Sequence, residues 1–479
     1  MRRVNGGQKS GTTLQRFSSA VIRHSVYPLW LRYDHPAYPA FLREIMESQY
    51  WSRAEIERLQ IERLNRLLAH AQRNCPFYRD RLQSAGLEPG HVDLQAFSRL
   101  PVLTKREIQD HGPEMSAANF SGKMRVRNQT GGSTGSPLQF WVDRERLDSR
   151  LASTARHDSW TGLRPGDWRA ELWGARLDQV IKPGWRDWLR NVLVYRMVEM
   201  NTSRIRPEDW VQFIARLRQE RPRFMVTYAH SAVLFAQYLR EQGIDDIHFD
   251  SIITTAEVLL PEQRKIIEEA FGATVFDRYG CREMSVIASE CEHRQGLHIN
   301  AEALLVEVVP DAQYPAPLGK LLVTDLLNYS MPLIRYEIGD VGSWEEGSDC
   351  PCGRGLPRLR EIHGRTTDFL VLPDGRQISG PALTLVVSDM PDVRQVQFLQ
   401  KALDWVVLRV VPGRSYGPQT AAELRRRFRL YLDGSTRLDL EEVESIANER
   451  SGKYRFVIND LPISPVRTPD AEEAERVNH

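Results

Sequence analysis

The sequence predicts an α/β protein with a large N-terminal domain of mixed sheets flanked by helices, and a small α+β C-terminal domain. Between about residues 124 and 340, short apolar runs alternate with helical segments, which is typical of a partly parallel sheet. A segment rich in turn residues, 364–380, separates this region from a further strand pair and helix. A chain of 479 residues is also long for one domain. We therefore expect domains at residues 1–367 and 368–479.

The composition excludes several classes of protein. Hydrophobic residues make up 41% of the chain and charged residues 27%, as in ordinary globular proteins. The net charge of +1 gives no bulk attraction to nucleic acid or to an acidic membrane as the main partner. No apolar run approaches the roughly 20 residues of a membrane-spanning helix, and five cysteines do not form a disulfide framework in so long a chain. We expect a cytoplasmic protein that has no transmembrane segment and binds no nucleic acid; the oligomeric state stays open.

The first part of the chain is predicted to be helical. Residues 14–45 carry aromatic and basic side chains between prolines, which favours a strap that packs on the domain, with an amphipathic surface-binding segment as the alternative. From Ser52 onward, apolar residues recur at the helical period, Glu55 completes a capping box, and Pro76 ends the helix. A second, short helix is predicted to begin near Thr104.

Strands and helices alternate through the rest of the chain. Short apolar runs predict strands, and longer runs with a helical period predict helices. The predicted strands are 224–228, 252–255, 273–276, 304–309, 319–325, 393–399 and 405–411, and the predicted helices are 232–242, 261–271 and 421–433. The alternation from residue 224 to 276 is the part that favours parallel pairing.

A loop rich in glycine and hydroxyl residues is the first candidate site. It reads Thr-Gly-Gly-Ser-Thr-Gly-Ser-Pro at residues 130–137. Glycines let backbone N–H groups approach an anion, and the hydroxyls add donors, so the composition suits a phosphate-binding loop. It is neither a Walker A motif nor a dinucleotide fingerprint, because the Lys-Ser/Thr pair and the G-x-G-x-x-G spacing are missing. Taken alone, a cluster of this composition is more often an ordinary surface loop.

Two motifs with acidic residues lie beyond predicted strands. Residues 277–283, Asp-Arg-Tyr-Gly-Cys-Arg-Glu, follow the strand 273–276, at the strand end where open sheets bind ligands. Tyr279 can stack on a base there, and Glu283, four residues on, can hold Mg²⁺ beside phosphates. Asp340 follows a glycine at a turn and can accept the hydroxyls of a ribose. The structural alternatives are a salt-bridged loop and a turn-stabilising aspartate.

The order and spacing of these motifs resemble the adenylate-forming superfamily of acyl-CoA synthetases and adenylation domains. The chain looks most like the phenylacetate–CoA ligase branch of it, and specifically like the capsular-polysaccharide-associated, coenzyme F390 synthetase-like members of that branch. The resemblance runs from about Trp51 to about Ile458 and includes the segments H-A-Q-R-N-C-P-F-Y-R and L-P-V-L-T-K. It implies that a carboxylic acid, ATP and Mg²⁺ give an acyl-adenylate and pyrophosphate, and that a small mobile domain then rotates before acyl transfer. The acceptor is CoA in most relatives, and an amine or amino sugar is the alternative.

The resemblance also assigns roles to individual residues. Residues that would bind the nucleotide are Gly131, Gly132, Ser133, Thr134, Gly135, Ala256, Glu257, Tyr279, Gly280, Asp340 and Arg365. Residues that would act in catalysis are Thr134, the magnesium ligand Glu283, and Lys453 at the place of the C-terminal catalytic lysine. A lysine that relatives often carry after the loop is replaced here by Leu138 and Gln139. The retained acidic and basic residues argue against a catalytically silent binding protein, and the tryptophans and tyrosines near the expected acyl pocket favour an aryl or short-chain acid.

The cysteines predict a zinc site. Cys350 and Cys352 form a Cys-Pro-Cys-Gly turn that can present two thiolates to one ion, and Cys291 lies in a segment with two histidines. In a cytosolic protein such a pair favours a metal over a disulfide. His298 is the preferred nitrogen ligand, because its apolar neighbours would anchor it on a strand, and His293 is the alternative. Some relatives in this branch carry Cys/His sets here, whereas unrelated buried thiols are the structural alternative.

Overall fold

Alternating helices and strands build two separate units in the computed structural model of the chain. The first unit comprises residues 1–366 with 447–455, and the second comprises 367–446 with 456–479. The structure describes residues 13–459 apart from 131–137, 174–183, 203–206, 313, 315, 348, 366–368, 374–376, 380–382, 384–386, 388–389, 391, 414, 433 and 448–453. None of the helices in that described part is long and apolar enough to cross a membrane.

The helices of the first unit cluster at its N-terminal end and between the strands of its sheet. They are α1 (Thr13–Val21), α2 (Tyr27–Asp34), α3 (Tyr38–Ser48), α4 (Arg53–Asn74), α5 (Pro76–Ser84), α6 (Leu94–Phe97), α7 (Lys105–Met115), α8 (Arg144–Trp160), α9 (Trp185–Arg190), α10 (Pro207–Glu220), α11 (Ala229–Gln242) and α12 (Pro261–Phe271). Two π-helical turns, Ile22–Val26 and Asn191–Tyr195, follow α1 and α9. The second unit contains α13 (Pro418–Arg429).

The strands of the first unit are β1 (Arg125–Gln129), β2 (Gln139–Asp143), β3 (Arg169–Trp173), β4 (Met197–Asn201), β5 (Phe224–Tyr228), β6 (Ser251–Thr255), β7 (Thr274–Cys281), β8 (Ser285–Glu290), β9 (Leu297–Ile299), β10 (Leu304–Pro310), β11 (Gly319–Asp325), β12 (Tyr336–Trp344) and β13 (Arg358–Arg365). Those of the second unit are β14 (Phe369–Val371), β15 (Gln377–Ser379), β16 (Val393–Ala402), β17 (Trp405–Pro412), β18 (Arg437–Glu442) and β19 (Val457–Asn459).

An eleven-stranded mixed sheet organises the first unit. Its order is β10-β11-β12-β13-β9-β8-β7-β6-β5-β3-β4. The strands from β7 to β4 pair in parallel, and those from β7 to β10 pair antiparallel. All five residues of β6 are buried, as expected for a parallel strand covered on both faces. The pairing in the sheet therefore changes from parallel to antiparallel at β7, the strand that carries the Tyr279 motif.

Separate apolar cores cover the two halves of this sheet. The antiparallel half packs with α4, α5 and α7 around residues such as Leu64, Leu67 and Tyr78. The parallel half packs with α10, α11 and α12 around residues such as Phe235 and Phe271. In the second unit, α13 covers a four-stranded sheet of order β18-β17-β16-β19, with its own core.

Most strands and helices predicted from the sequence are confirmed to within a few residues. The capping boxes Ser52/Glu55 and Thr104/Glu107 are both formed. Pro76 ends α4 as predicted, and it also occupies the first turn of α5. The elements that the sequence analysis missed include β1, β2, β3, β4, α8 and α10.

Candidate active site

The carboxyl ends of β5, β6 and β7 meet at one edge of the sheet. Tyr228 lies opposite Thr255, and Thr255 opposite Arg278, in this parallel ladder. Ala256 follows β6 in the left-handed region, at a φ of 67°, which turns the chain sharply before Glu257. Segments that sequence reasoning had marked separately therefore converge at this edge.

Tyr279 and Asp340 are in direct contact. The Tyr279 hydroxyl donates a hydrogen bond of 2.6 Å to Oδ2 of Asp340. The β7–β8 ladder shifts register between Tyr279 and Gly280, and a Cβ on Gly280 would lie 2.4 Å from the carbonyl oxygen of Ser285. Only glycine allows this close approach, so Gly280 fixes the turn that aims Tyr279 at Asp340.

Glu283 lies in the turn between β7 and β8, and two residues hold it. The hydroxyl of Tyr336 donates to Oε1 of Glu283 over 3.2 Å, and the guanidinium of Arg150 donates to the Glu283 carbonyl oxygen. Burial, then the charge of Glu283, raises the pKa of Tyr336, so its hydroxyl keeps its proton and can donate. Burial likewise raises the pKa of Cys281, which leaves a neutral thiol beside the carboxylate.

Two buried arginines on α8 form ion pairs next to this turn. Nε of Arg146 lies 2.7 Å and 2.8 Å from the two carboxylate oxygens of Asp325, and Arg150 lies 3.5 Å from the same carboxylate. Asp143 caps the helix by accepting from the Arg146 backbone N–H. These arginines connect helix α8 to the loop that carries Glu283.

The glycine-rich loop is the tip of the β1–β2 hairpin. The Thr130 N–H donates to the Leu138 carbonyl over 2.9 Å, and the Leu138 N–H donates to Oγ1 of Thr130 over 2.9 Å. Nε of Arg282 donates to Oδ1 of Asn128 over 3.0 Å, so the hairpin lies beside the turn that holds Glu283. The loop residues Gly131, Gly132, Ser133, Thr134 and Gly135 themselves lie outside the described residues.

Asp340 and Arg365 occupy opposite positions on the neighbouring strands β12 and β13. Gly339, just before Asp340, has a φ of 83°, which a residue with a side chain rarely adopts. The side chain of Arg365 lies outside the described part of the chain, whereas its backbone position is fixed by this pairing.

Glu257 joins two segments at the same edge. Its Oε2 accepts from the backbone N–H of His230 over 2.8 Å, and its Oε1 accepts from that of Tyr454 over 2.7 Å. The rings of His230 and Tyr454 stack at 4.1 Å, and burial lowers the pKa of His230 to about 4, so the imidazole is neutral. Lys453 lies outside the described residues, but its neighbour Tyr454 is bound here.

Aromatic rings border the site on the β3 side. The Trp173 ring lies 4.8 Å from that of Tyr228. Together with His230 and Tyr454, these rings form a largely apolar border next to Glu257. Such a border can accept an apolar acyl group next to the polar nucleotide-binding residues.

Four potential metal ligands meet elsewhere in the first unit. The ligand atoms of Cys291, His298, Cys350 and Cys352 all lie within 4.8 Å of one another. The Sγ atoms of Cys291 and Cys350 are 3.6 Å apart, and Sγ of Cys352 lies 3.4 Å from Nε2 of His298. Zinc–sulfur bonds of about 2.3 Å in a tetrahedron place two sulfurs about 3.8 Å apart, so the donor set fits this ion. His293 is not part of the group, although it is described.

The turn that carries two of these thiols is shaped for metal binding. Gly353 has a φ of 75°, and its N–H donates to the carbonyl of Cys350 over 3.0 Å. The N–H of Arg354 then donates to Sγ of Cys352 over 3.5 Å. The His157 ring stacks on Trp160 with ring centroids 4.4 Å apart, and the Trp160 ring lies 5.8 Å from that of His298.

Several residues of the site carry no distinctive sequence pattern. Tyr336, Arg146 and Arg150 hold the Glu283 turn through contacts that span more than 50 positions of sequence. Asn128 does the same for the hairpin. The one usable sign was the arginine spacing of four on α8, which places both guanidinium groups on one helix face.

Comparison with known proteins identifies the family. Phenylacetate-coenzyme A ligase of Thermus thermophilus is 30% identical over 330 residues, which cover 67% of this chain and 72% of that protein. Protein CapK of Staphylococcus aureus is 22% identical over 407 residues, 84% of this chain and 89% of that protein. Residues 370–460 match the family model of the CapK C-terminal domain.

A solved structure shares the fold. A 2-hydroxyisobutyryl-CoA ligase, in the postadenylation state in complex with 2-HIB-AMP, superposes with a TM-score of 0.71 at 24% identity, covering 86% of this chain and 90% of that one. The mixed sheet and the separate small C-terminal sheet are thus those of adenylate-forming enzymes. With the extent of the match to the Thermus enzyme, the chain belongs to the phenylacetate–CoA ligase family of adenylate-forming ligases.

Proposed function

We propose that this protein activates a small carboxylic acid with ATP, releases pyrophosphate, and transfers the acyl group from the adenylate to CoA. The observation that carries the proposal is that Tyr279, Asp340 and Glu283 lie at one sheet edge together with strand β1, which leads into the glycine-rich loop. Tyr279 and Asp340 suit the adenosine, and the hairpin loop suits the phosphate chain. Glu283 suits a cation bound beside the phosphates. Family membership supports the same assignment.

The nucleotide would be held by residues of three elements. Asp340, on β12, would accept hydrogen bonds from the ribose hydroxyls. Tyr279 would lie against the adenine, and its hydrogen bond would orient the Asp340 carboxylate. The hairpin loop would direct its N–H groups at the phosphates. Glu283, oriented by Tyr336, supplies the carboxylate oxygen that a hard cation prefers. When bound there, Mg²⁺ would neutralise phosphate charge during the displacement.

The chemistry then needs little beyond placement and charge. A substrate carboxylate oxygen bonds to the α-phosphorus while the bond to the bridging oxygen breaks, and pyrophosphate leaves with that electron pair. Both partners are anionic, so donors that strengthen at the transition state lower the barrier. Lys453 is our proposed mobile cation for this step, and Thr134 is a proposed loop donor. In the second step the thiolate sulfur of CoA bonds to the acyl carbon, the carbon–oxygen bond to AMP breaks, and AMP departs.

The acid is proposed to be aryl or short-chain. Trp173, Tyr228, His230 and Tyr454 supply ring surfaces at the edge, and the neutral imidazole of His230 adds no charge. Flat apolar walls favour a flat or small acyl group over a long flexible chain. The reaction consumes ATP and the chain keeps free cysteines, which supports a cytoplasmic location.

A pyrophosphate-exchange assay tests the proposal. We expect acid-dependent exchange of labelled pyrophosphate into ATP for at least one aryl or short-chain acid, lost when Mg²⁺ is chelated. Glu283→Gln should raise the Mg²⁺ concentration needed for half-maximal exchange, since the amide carries no charge. Glu62→Gln is the matched control, because that exposed carboxylate pairs with Arg66 one turn further along α4.

The acceptor is measured in the same assay by adding CoA, amines or amino sugars. A thioester with CoA supports the proposal, whereas an amide with no thioester would establish the alternative acceptor. Neither exchange nor calorimetric ATP binding across a broad panel of acids would overturn the ligase assignment for this chain.

We further propose that Cys291, His298, Cys350 and Cys352 bind one structural zinc ion. Three thiols and an imidazole complete a four-coordinate site, which leaves no open position for catalysis. The ion would fasten the β8–β9 segment to the Cys350–Cys352 turn, two segments that are far apart in sequence.

Metal content and stability test this second proposal. Protein purified without added metal should contain about one zinc per chain. His298→Ala should lower both the zinc content and the midpoint of thermal unfolding, because metal binding is coupled to local folding. His293→Ala, a neighbouring histidine outside the cluster, should change neither. Metal-free wild type, or equal zinc in both variants, would refute the site.

A further inference from the structure

The hydroxyl of Ser231 is buried without a partner. Ser231 is 1% exposed, and its Oγ has no hydrogen-bond partner in the described part of the chain. The large majority of buried side-chain polar atoms in proteins have one, because an unpaired buried hydroxyl loses its contacts with water and gains nothing in return. A group that binds from outside the chain would supply the missing partner.

Serines on α8 show the contact that a helical serine ordinarily makes. Oγ of Ser153 donates to the carbonyl oxygen four residues earlier over 2.9 Å, and Oγ of Ser159 donates to the carbonyl oxygen three residues earlier over 2.6 Å. For Ser231 the carbonyl three residues earlier is that of Tyr228, and it accepts from Oγ1 of Thr227 over 2.9 Å instead. The Ser231 hydroxyl therefore stays available to another group.

Ser231 lies in the first turn of α11, at the sheet edge that carries the candidate active site. Helix α11 begins directly after the carboxyl end of β5. Each Cα–Cβ bond of a helix tilts toward the N-terminus, so the Ser231 side chain leans toward this edge. The preceding residue, His230, donates its N–H to Glu257. The ring of Tyr228, one turn earlier, lies 4.8 Å from that of Trp173. The hydroxyl therefore belongs to the border proposed for the acyl group.

The charges around this turn favour a neutral ligand group. The carboxylate of Glu257 already meets the N-terminus of α11, because it accepts the His230 N–H over 2.8 Å. A second anionic group there would be repelled, and burial lowers the pKa of His230 to about 4, so the imidazole supplies no positive charge to hold one. A serine hydroxyl both donates and accepts, and a substrate hydroxyl is a neutral group that can pair with it in either direction.

We propose that Ser231 determines substrate specificity, and that the acid activated here carries a neutral hydroxyl group that hydrogen-bonds to Oγ of Ser231. This inference rests on the ligase function proposed above and narrows its substrate to hydroxy-substituted aryl or short-chain acids. A pocket that pairs a buried polar group with a substrate hydroxyl selects against the analogue that lacks it, because the protein group is then left unpaired. An apolar pocket wall alone would select by size and would show no such preference.

Pyrophosphate exchange with matched pairs of acids tests the proposal. The pairs are phenylacetate, benzoate and isobutyrate, each against its monohydroxylated derivatives. We expect wild type to favour at least one hydroxy acid over its parent by roughly 10- to 100-fold in kcat/KM. Ser231→Ala should remove most of that preference by lowering kcat/KM for the hydroxy acid, without lowering it for the parent acid. A merely structural role would lower both alike.

Stability provides a second, independent readout. Removing the Ser231 hydroxyl breaks no hydrogen bond of the described structure, so Ser231→Ala should keep or raise the midpoint of thermal unfolding without substrate. Ser251→Ala is the matched control, because Ser251 is 3% exposed and its Oγ donates to the Thr161 carbonyl over 2.9 Å, at the opposite end of β6 from the site. That variant should lower the midpoint and leave the preference between acids unchanged.

The contrary results separate this proposal from the ligase function. Three of them would overturn the role of Ser231 while exchange itself leaves the ligase function standing. They are equal kcat/KM for every hydroxy acid and its parent, a preference that survives Ser231→Ala or equal losses for both acids in that variant, and a lower unfolding midpoint of that variant. Absence of exchange with every acid would instead contradict the ligase function, and this proposal with it.

Discussion

The contacts of single residues in the site join groups that are far apart in the sequence. Tyr279, in β7, donates to Asp340, in β12, across 61 positions. Tyr279, Glu283 and Asp340 were singled out in the sequence because an aromatic ring and two carboxylates next to apolar runs suit nucleotide binding. Tyr336 and Arg150 were not predictable, because a tyrosine in an apolar run or an arginine in a helix has many ordinary uses. Their role depends on contacts across 53 and 133 positions of sequence.

Asp277, beside the site on β7, leads to a pH prediction. Removal from water, and then the neighbouring Glu290, raise the pKa of Asp277 to about 7, while Arg264 opposes the shift. In the unfolded chain the pKa is about 3.9. The folded state therefore binds a proton that the unfolded state has lost between these values, so this residue's contribution to stability falls as pH rises from about 4 to 7.

Asp277→Asn should remove that pH dependence. The amide oxygen of the variant can still accept from Oγ1 of Thr254 and from the Arg278 N–H, as Oδ1 of Asp277 does. Urea denaturation at pH 4.5, 6 and 7.5 should show the variant gaining stability relative to wild type as the pH rises. A difference between the two proteins that stays constant with pH would contradict the raised pKa.

Among the elements, α8 shows where pattern recognition reaches its limit. Its buried face carries Arg146, Ser149, Arg150, Ser153 and Arg156, and an apolar stripe is what marks a helix in sequence. Each arginine is buried because an acid or carbonyl from another element meets it, as Asp325 meets Arg146 and Glu302 meets Arg156. Such partners cannot be read from the helix itself.

The buried ion pairs of α8 position neighbouring segments and add little net stability. Removing two charges from water costs about as much as their attraction returns, whereas breaking one pair costs roughly 3–5 kcal/mol. Helix α8 thereby holds the Glu283 turn through Arg150 and the Asn300–Glu302 segment through Arg156. Elements with apolar faces, such as α12 and β11, were predicted at their observed bounds.

At the scale of the whole molecule, the division into two units bears on which unit carries Lys453, the lysine proposed to act in catalysis. The expectation that a small mobile domain carries Lys453 stays a prediction. The structure groups residues 447–455 with the first unit, where Tyr454 is bound to Glu257. The chain passes from the second unit into the first at residue 447 and back into the second at residue 456. No local sequence pattern marks such an excursion.

Separating the two half-reactions tests the roles of Lys453 and Asp340. Lys453→Ala should slow pyrophosphate exchange by about 10²–10³, as when one charge-stabilising donor is lost, while ATP still binds and preformed acyl-AMP still reacts with CoA. Asp340→Ala should weaken ATP binding and slow both steps, because both use the adenosine. Arg455→Ala is the control at the neighbouring cation. Wild-type exchange in Lys453→Ala would move the role to another residue, with Arg455 the first to examine.

Strand β13 runs from the metal cluster to the strand that carries Asp340. Its first residue, Arg358, pairs with the metal-cluster residue His298, and its last, Arg365, pairs with Asp340. Deleting or inserting one residue between those ends would turn the following side chains to the opposite face of the sheet. The eight-residue length of this strand therefore sets the spacing along the sheet between the metal cluster and Asp340.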